Sequence, residues 1–359
     1  MKRILCLIMC LVMACTMLVS CAETTIGDYI DNYTDVQKTS ERLTINMHII
    51  TGDSTTEDSI KNVSQRINGY AKNIYNTDLK ITFVKESEYA SSLNSALSKS
   101  DAEAPHIVLI NSESLFDSLM DGGKLADLTD YYGTKSFGQM NVKIASPLLQ
   151  ASKVENKLYT VPNNRVIGEY EYLVINRELV KEFHYPNQEL EGYKSLEDAS
   201  ALMAEMEGAG YSQESISQLV RVVKGPYELR EEYLEDNFCN VISVPSVNRA
   251  EAFASAFAVV KREQSKYNDR AVEIIYAINN DSELRNLLQY GVEGANYTKA
   301  NKSTEVVRNM DGVNNFEMNL IYTGNAFTAY NCQEIGWTND AKSYGQLQNQ
   351  DAVCDLGAE

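Results

Sequence analysis

The fold of this chain is decided by residues 156–180, NKLYTVPNNRVIGEYEYLVINRELV. This stretch is strand-like for most of its length. The residues that fit a pleated, half-buried surface are Val161, Val166, Ile167, Tyr170, Tyr172, Val174 and Ile175, and Pro162 and Gly168 interrupt the pattern. The chain before it alternates between strand and helix patterns, whereas the chain after it is mainly helical. We therefore expect residues 156–176 to be the crossover between two lobes, with a ligand held in the cleft beside it.

Length and charge restrict the possible classes of protein. The chain has 359 residues, which suggests two domains at roughly 100–200 residues each. It carries 32 basic and 50 acidic residues, a formal net charge of −18. Nucleic acids and anionic lipid surfaces both require clustered Lys and Arg, so neither is expected as a partner. The ordinary reason for such acidity is solubility.

The N-terminus has the pattern of an export signal. Lys2 and Arg3 precede an apolar run from Ile4 to Val19, which is too short for a membrane span. The run ends in Leu18-Val19-Ser20-Cys21, which resembles a bacterial lipobox. We expect residues 1–20 to be a lipoprotein signal peptide and Cys21 to be lipidated, which would hold the protein on the extracytoplasmic side of the cell membrane. The alternative is an ordinary signal peptide with a chance cysteine.

The polar residues 21–41 are expected to form a tether between the lipid and the folded part. Three cysteines follow the tether: Cys239, Cys332 and Cys354. No C-x-x-C pair is present, so a metal site is not expected. A disulfide between two of them and a set of buried free thiols are both compatible with the sequence.

Residues 42–155 are predicted to form an N-terminal α/β lobe. Alternating or continuous apolar residues predict strands at Leu43–Ile49, Leu79–Phe83 and Ile107–Ile110, with amphipathic helices between and after them. This order predicts a parallel sheet, whose ligands bind beyond the carboxyl ends of the strands. The residues at those ends are Thr51, Gly52, Asp53, Asn111, Ser112 and Glu113. Their alternative roles are those of loop and helix-cap residues.

The chain beyond the crossover is predicted to contain a second, shortened lobe at residues 177–256. A helix opens at Ser195, a second one covers Ile216–Val223, and a strand covers Phe238–Val244. Helices in residues 257–290 are expected to return to the first lobe. The segment 291–359 is hard to assign, and we place it in the second lobe.

Several motifs, in order, resemble one family. Gly123–Asp130 (GKLADLTD) is similar to a "G-x-l-x-dLtd" stretch, and Asn156–Pro162 resembles "G-K-l-Y-g-v-P" with Asn in place of Gly. Leu173–Leu179 resembles "l-x-y-N-k-d-l". Residues 280–294 are similar to a "tdpe-x-r-n-Ll-yG-x-eG" block. His106 stands where an Asp is usual. Together with the lipobox, these motifs resemble the substrate-binding lipoproteins of bacterial ABC importers, the group that includes maltose-binding protein.

This resemblance covers nearly all of the mature chain and implies an α/β fold of two lobes. Each lobe would be a sheet flanked by helices, as in type II periplasmic binding proteins, joined by a crossover hinge. It also implies a monomer that binds a sugar and delivers it to an ABC importer permease. Fewer residues than usual separate Asn176 from Phe257, and Gly225-Pro226-Tyr227 resembles a late "GPW" step. The second lobe is therefore expected to be pared down.

Sugar binding implies aromatic faces and polar side chains at the cleft. The aromatic candidates are Trp337, Tyr227, Tyr170 and Tyr172, the last two on one strand face because they are two residues apart. Asn163 and Arg165 are polar candidates at the crossover. Each aromatic residue could instead belong to the core, and Arg165 could instead pair with an acid across the lobe interface.

No pattern for catalysis, for a metal or for a cofactor is present. Three histidines are widely spaced, and no H-E-x-x-H, G-x-S-x-G, P-loop or G-x-G-x-x-G motif occurs. We therefore predict a solute receptor and not an enzyme. The alternatives are a lipoprotein of the same fold that acts as a sensor or scaffold, a receptor for a solute other than a sugar, and an anchored glycan-degrading enzyme.

Overall fold

The computed structural model describes residues 41–133, 144–178, 181, 192–300 and 304–355. The signal, Cys21 and all but the last residue of the predicted tether lie outside this description. The strands are β1 (Leu43–Thr51), β2 (Thr77–Lys85), β3 (Ile107–Ile110), β4 (Lys153–Val154), β5 (Lys157–Leu158), β6 (Thr160–Pro162), β7 (Tyr170–Asn176), β8 (Val220–Gly225), β9 (Asn237–Ser243), β10 (Ser246–Val247), β11 (Ala256–Val259), β12 (Tyr297–Lys299), β13 (Val306–Arg308) and β14 (Val353–Cys354).

The α-helices are α1 (Glu57–Tyr75), α2 (Glu86–Leu97), α3 (Glu113–Asp121), α4 (Thr129–Gly133), α5 (Ser146–Ala151), α6 (Leu196–Gly208), α7 (Gln213–Leu219), α8 (Tyr227–Leu234), α9 (Arg249–Phe253), α10 (Ser265–Asn280), α11 (Ser282–Tyr290) and α12 (Asn339–Asp351). Short 3₁₀ turns occur at Leu320–Tyr322, Ala326–Thr328 and Gln333–Ile335.

The first lobe is built on a five-stranded sheet with the order β2-β1-β3-β11-β6. β1 runs parallel to β2 and to β3, as the alternating sequence predicts. β11 runs antiparallel to both β3 and β6, so β6 points in the same direction as β1. The carboxyl ends of β1, β2, β3 and β6 therefore lie at one edge of the sheet, where ligands bind in sheets of this kind.

The helices of the first lobe bury one face against this sheet. α1 begins where the Thr56 hydroxyl accepts a hydrogen bond from the Ser59 N–H (3.3 Å), a cap that pairs a free donor of the first turn. Val63 and Ile67, four residues apart, are fully buried on its inner face. β3 is buried along its whole length because helices cover both faces of the sheet.

The crossover takes the chain from one sheet to the other. β6 is an edge strand of the first sheet, and β7 is the central strand of a second, three-stranded sheet with the order β8-β7-β9. Both of its pairings are antiparallel. The chain therefore passes between the lobes at residues 163–169. Within the described residues, the second lobe consists of three strands and the helices α6, α7 and α8, so its described part is small.

The predicted helix at Ile216–Val223 is wrong in its second half. α7 ends at Leu219, and the following residues form β8, which pairs with β7 from Val220 opposite Ile175 to Gly225 opposite Tyr170. Val220, Val222 and Val223 are β-branched and fit a pleated surface better than a helix. Residues 220–225 form a strand because they pair with an edge of β7 that would otherwise be open.

The C-terminal segment differs from the expectation that residues 291–359 lie in the second lobe. Phe316 and Met318 are buried in the core of the first lobe, and the Tyr290 hydroxyl of α11 donates to the Tyr330 carbonyl (2.9 Å). Among the described residues, α12 reaches the second lobe: the Tyr170 hydroxyl donates to the Asp351 carboxylate at the end of that helix (2.7 Å). After α12, β14 pairs with β10, just before the chain returns to the first sheet through α9 and β11.

Within the described ranges, Cys239, Cys332 and Cys354 are free thiols. In the same part of the chain, no helix combines the length and apolar character that a membrane span requires. No group of three His, Cys, Asp or Glu side chains there is arranged to hold a metal ion.

Candidate ligand-binding site

A cavity of about 520 Å³ lies beside the carboxyl ends of β1 and β2. Its size falls within the range of small-molecule sites, roughly 300–1,000 Å³. The residues around it are Ile50, Thr51, Gly52, Asp53, Glu86, Arg308, Glu317, Met318, Asn319, Leu320, Tyr322 and Ile335. Among the described residues, those that line it come from the first lobe and the C-terminal segment, and the second sheet contributes none. This differs from the expectation of a site enclosed by both lobes.

One wall of the cavity is the segment 315–322, which crosses the carboxyl edge of the first sheet. At β1, the Gly52 N–H donates to the Glu317 carbonyl (2.8 Å). At β6, the Asn163 side-chain amide donates to the Ile321 carbonyl (3.0 Å). Ser255, just before β11, also donates its hydroxyl to Ile321. The segment therefore covers much of the edge and leaves the cavity open at the β1–β2 side.

Two carboxylates of the cavity are held by hydroxyl donors. The Tyr322 hydroxyl donates to Glu86 Oε1 (3.1 Å), and the Ser54 hydroxyl donates to Glu317 Oε2 (2.5 Å). Burial, followed by the charge of Glu86, raises the pKa of Tyr322 to about 12. The phenol therefore stays protonated at neutral pH and remains a hydrogen-bond donor.

The electrostatic balance of the cavity is acidic. Among the described lining residues, Asp53, Glu86 and Glu317 supply three carboxylates, against one cation, Arg308. The Arg308 Nε lies 3.0 Å from the Glu334 carboxylate, so a neighbouring acid already neutralises this guanidinium. Carboxylates accept hydrogen bonds from hydroxyls, and such charge-assisted bonds are stronger than neutral ones. The lining thus suits a ligand rich in hydroxyl or amine donors.

Of the residues predicted at the end of β1, all three line the cavity. The Thr51 side chain is buried and bonds both the Thr55 hydroxyl (2.9 Å) and the Glu317 carbonyl (3.0 Å), so it builds the wall. Gly52 permits the close approach of Glu317. Asp53 is exposed and contributes a carboxylate to the lining.

The residues predicted at the end of β3 lie elsewhere. The Ser112 hydroxyl caps α3 by accepting from the Leu115 N–H (3.3 Å). The Glu113 carboxylate forms an ion pair with Arg249 of α9 (2.7 Å). Neither Asn111 nor these two lines the cavity, and the capping bond of Ser112 fits the alternative role of loop and helix-cap residues.

The crossover residues serve to join elements. Asn163 is fully buried and also donates to the Ser255 hydroxyl (2.9 Å). The Arg165 guanidinium donates through Nη2 to the Glu251 carbonyl of α9 (2.5 Å) and is 8% exposed. Its pKa is lowered by burial, and its Nη1 is buried without a hydrogen-bond partner among the described residues.

The predicted aromatic platforms are mostly packed against other side chains. The rings of Tyr170 and Tyr172 stack at 5.4 Å, which fits their expected common strand face, but both are buried. Tyr227 is half-buried and stacks on Tyr344 at 5.6 Å. Trp337 is 7% exposed, and its indole N–H donates to the Ala326 carbonyl (3.0 Å). None of the four lines the cavity at β1 and β2.

Sequence reasoning missed five polar or aromatic residues of the lining: Glu86, Arg308, Glu317, Asn319 and Tyr322. Glu86 directly follows β2, so the strand-end rule that selected Thr51–Asp53 would also have found it. The other four belong to a C-terminal segment with no periodic pattern. No feature of their local sequence indicates that they meet β1.

Comparisons with known proteins identify the fold. No protein-family model matches the sequence, and no curated protein matches it. Solved structures do. The N-glycan transport solute binding protein NgtS from Streptococcus pneumoniae has a TM-score of 0.55 and 16% sequence identity, with 86% of this chain and 83% of that chain covered. Its complex with Man1GlcNAc gives a TM-score of 0.54, 16% identity and coverage of 87% and 84%. Its complex with Man5GlcNAc gives a TM-score of 0.54 and 16% identity, with 87% of this chain and 83% of that chain covered. The chain therefore has the two-lobed fold of these solute-binding proteins.

Proposed function

We propose that this protein is an extracellular solute receptor, anchored to the membrane through Cys21, that binds a sugar or oligosaccharide and delivers it to an ABC importer permease. The observation that carries the proposal is the cavity at the ligand-binding edge of the first sheet. Carboxylates, a phenol and an amide surround it, and these groups match the hydroxyls of a sugar. NgtS, whose fold this chain shares, binds glycans according to its solved complexes.

The site would bind a sugar mainly by hydrogen bonds. Asp53, Glu86 and Glu317 would accept from sugar hydroxyls, and the exposed Asn319 could both donate and accept. The side chains of Ile50 and Leu320 add apolar surface for the sugar C–H groups. Closure of the second lobe over this edge would complete the enclosure by a hinge motion at residues 163–169.

Binding is tested with the full chain purified in a zwitterionic detergent, because sugar-headed detergents would compete. Man1GlcNAc and a panel of neutral oligosaccharides are titrated while the thermal midpoint and the mass of retained ligand are measured. We expect at least one saccharide to raise the midpoint and to be retained in native mass spectrometry. If no saccharide does either, the sugar assignment is wrong.

The site is tested with a matched pair of variants in the first turn of α2. Glu86→Gln removes the charge of a lining carboxylate and weakens its hydrogen bonds, and we expect at least a tenfold loss of affinity, since bonds to charged groups contribute about 1.5–3 kcal/mol. Glu88→Gln makes the same chemical change at an exposed position of that turn outside the cavity. Equal affinities for both variants would place the ligand elsewhere.

Anchoring and delivery need separate tests. Cys21→Ala should release the protein from membranes into the medium, whereas retention would contradict the lipid anchor. Loss of saccharide uptake on deletion of the gene for this protein, restored by the intact chain, would support delivery.

The small second lobe also favours a second candidate, a lipoprotein sensor or scaffold. If the protein is a sensor or scaffold, it should bind a saccharide, and deletion of its gene should leave saccharide uptake unchanged.

A further inference from the structure

A second cavity, of about 760 Å³, lies on the flank of the crossover. It shares no lining residue with the cavity at β1 and β2. Its walls are the start of α5, the crossover residue Asn164, the 3₁₀ turn at Ala326–Thr328 with the residue before it, and one face of α12. It therefore lies where the edge strand β6 leaves the first sheet.

The chemistry of this lining is unusual for so acidic a chain. None of the described residues around it is charged: they supply side-chain amides, hydroxyls, one aromatic ring and aliphatic groups. A charged ligand would lose its hydration there without a counter-charge, which is costly. A neutral polar ligand costs much less to remove from water, and the amides and hydroxyls of the lining can replace its hydrogen bonds to water.

The amides are arranged on one helical face. Gln346, Asn349 and Gln350 are spaced i, i+3 and i+4 on α12, so they point in the same direction. Asn349 is held by two bonds to the crossover: its Nδ2 donates to the Arg165 carbonyl (2.7 Å) and its Oδ1 accepts from the Ile167 N–H (3.0 Å). The side chains of Gln346 and Gln350 are exposed, and their amides have no hydrogen-bond partner among the described residues. Two complete amides therefore remain for a ligand.

The opposite wall supplies an aromatic ring and fixed amides. The Asn164 Oδ1 accepts from the Ala145 N–H (3.1 Å), and the Asn325 Oδ1 accepts from the Phe327 N–H (3.1 Å). Phe327 is half-buried and packs against Trp337, with ring centroids 5.7 Å apart. The Asn164 Nδ2 also donates to the Asn325 Oδ1 (3.4 Å), so these two amides fix the wall. A sugar's hydroxyls would bond mainly the amides of α12, which can both donate and accept, and an aromatic face packs against sugar C–H groups.

We infer that this cavity is a second ligand site, which takes a neutral saccharide between Phe327 and the amide face of α12. It goes beyond the receptor function proposed for the first cavity, because the two sites have different residues and different charge. A ligand there would contact the crossover residue Asn164, α12 and the first lobe together. The ligand would therefore bridge the crossover, the first lobe and α12, the helix that contacts the second lobe.

The single tryptophan of the chain provides the readout. Trp337 touches Phe327, so a ligand on Phe327 should change its fluorescence. The full chain in zwitterionic detergent is titrated with N,N′-diacetylchitobiose, a neutral disaccharide with hydroxyl and amide groups, in a Glu86→Gln background that weakens the first cavity. We expect a saturable change in fluorescence.

The double variant Gln346→Ala/Gln350→Ala, in the same background, should raise the dissociation constant at least about tenfold, since two hydrogen bonds are lost. Alanine is a good helix former, so α12 should persist. The matched control is Leu347→Ala, which lies on the same helix, is 41% exposed and does not line the cavity. We expect it to bind like its parent.

The outcomes separate the two sites. Unchanged affinity in the double variant, or no fluorescence change in the Glu86→Gln background, overturns the second site, and the receptor function is then judged on the first cavity alone. If the double variant abolishes binding of every saccharide while Glu86→Gln has no effect, the second site is supported and the assignment of the first cavity fails.

Discussion

At the scale of single residues, Gly52 controls the wall of the first cavity. A Cβ at this position would lie 2.6 Å from Glu317 Cγ and 2.7 Å from its Oε2. Gly52→Ala should therefore displace the Glu317 carboxylate from its bond with Ser54. We expect weaker saccharide binding and a loss of about 1–3 kcal/mol in the free energy of unfolding, the usual range for overpacking. Titration calorimetry and urea unfolding measure the two effects.

Gly69 provides the control for that substitution. It lies within α1, and nothing stands within 4 Å of the place a Cβ would take. Gly69→Ala should raise the free energy of unfolding by about 0.5–1 kcal/mol, because alanine is the better helix former, and leave binding unchanged. A loss of binding in both variants would mean that position 52 has no special relation to the ligand.

The same scale shows what the sequence could predict of the site. Thr51, Gly52 and Asp53 were predicted from their place at the end of a strand, and they line the cavity. This prediction was possible because alternating strands and helices indicate a parallel sheet, whose ligands bind beyond the carboxyl ends of its strands. Glu317 and Tyr322 meet β1 and Glu86 across more than 230 positions of the chain. Glu317 and Tyr322 belong to a segment that has no periodic pattern. Its position in the fold, and therefore these contacts, cannot be derived from the local sequence.

At the scale of elements, α12 ties the crossover to the second lobe through one buried side chain. Gln348 is 1% exposed. Its Nε2 donates to the carbonyls of Ile167 (3.0 Å) and Gly168 (2.7 Å), and its Oε1 accepts from the Tyr227 N–H of α8 (2.9 Å). The helix therefore holds the hinge segment and the start of α8 in one arrangement.

Gln348→Leu keeps a similar volume and removes all three bonds. The bond to the Ile167 carbonyl is buried and the other two bonds are part-buried. A buried backbone group left unpaired costs about 1–3 kcal/mol, so we expect a loss of about 2–3 kcal/mol in the free energy of unfolding. Thermal and urea unfolding measure it. Leu347→Ala, an exposed neighbour on the same helix, should change it by less than about 1 kcal/mol. Equal losses in the two variants would show that Gln348 does not join the lobes.

Element prediction succeeded where one pattern dominates and failed where two compete. The continuous apolar run Ile107–Ile110 predicted a buried strand, and β3 has those bounds. Residues 216–223 fit a helical spacing, but the β-branched residues from Val220 onward pair with β7. Local spacing cannot show that β7 offers a free edge, so the helix was extended too far.

At the scale of the whole molecule, the two lobes differ in how much structure supports them. Among the described residues, the main sheet of the first lobe has five strands and its core includes Phe316, Met318 and Tyr322 of the C-terminal segment, whereas the sheet of the second lobe has three strands. Stability should therefore depend mainly on the first core. Two histidines lie in that core, His48 in β1 and His106 just before β3, at 3% and 4% exposure.

Their burial makes the stability of the protein depend on pH. Burial, followed by the charge of Lys99, lowers the pKa of His48 from 6.5 to about 4. Burial, followed by the charge of Arg262, lowers the pKa of His106 from 6.5 to about 4, with Asp101 opposing. Below pH 6.5 the unfolded chain therefore binds protons that the folded chain excludes. The stability from neutral imidazoles is complete above pH 6.5 and is lost as the pH falls towards 4.

Between pH 7.5 and 5, where most carboxylates remain ionised, we expect each histidine to lower the free energy of unfolding by about 2 kcal/mol. Urea unfolding at half-unit steps measures the slope. The variant His48→Gln/His106→Asn supplies the control, since its amides keep polar atoms near His48 Nε2, which faces the Ser92 hydroxyl, and near His106 Nδ1, which accepts from the Asn46 N–H. Its stability should be nearly flat over that window. A slope equal to that of the parent would show that other groups bind the protons, and that neutral histidines do not stabilise the first core.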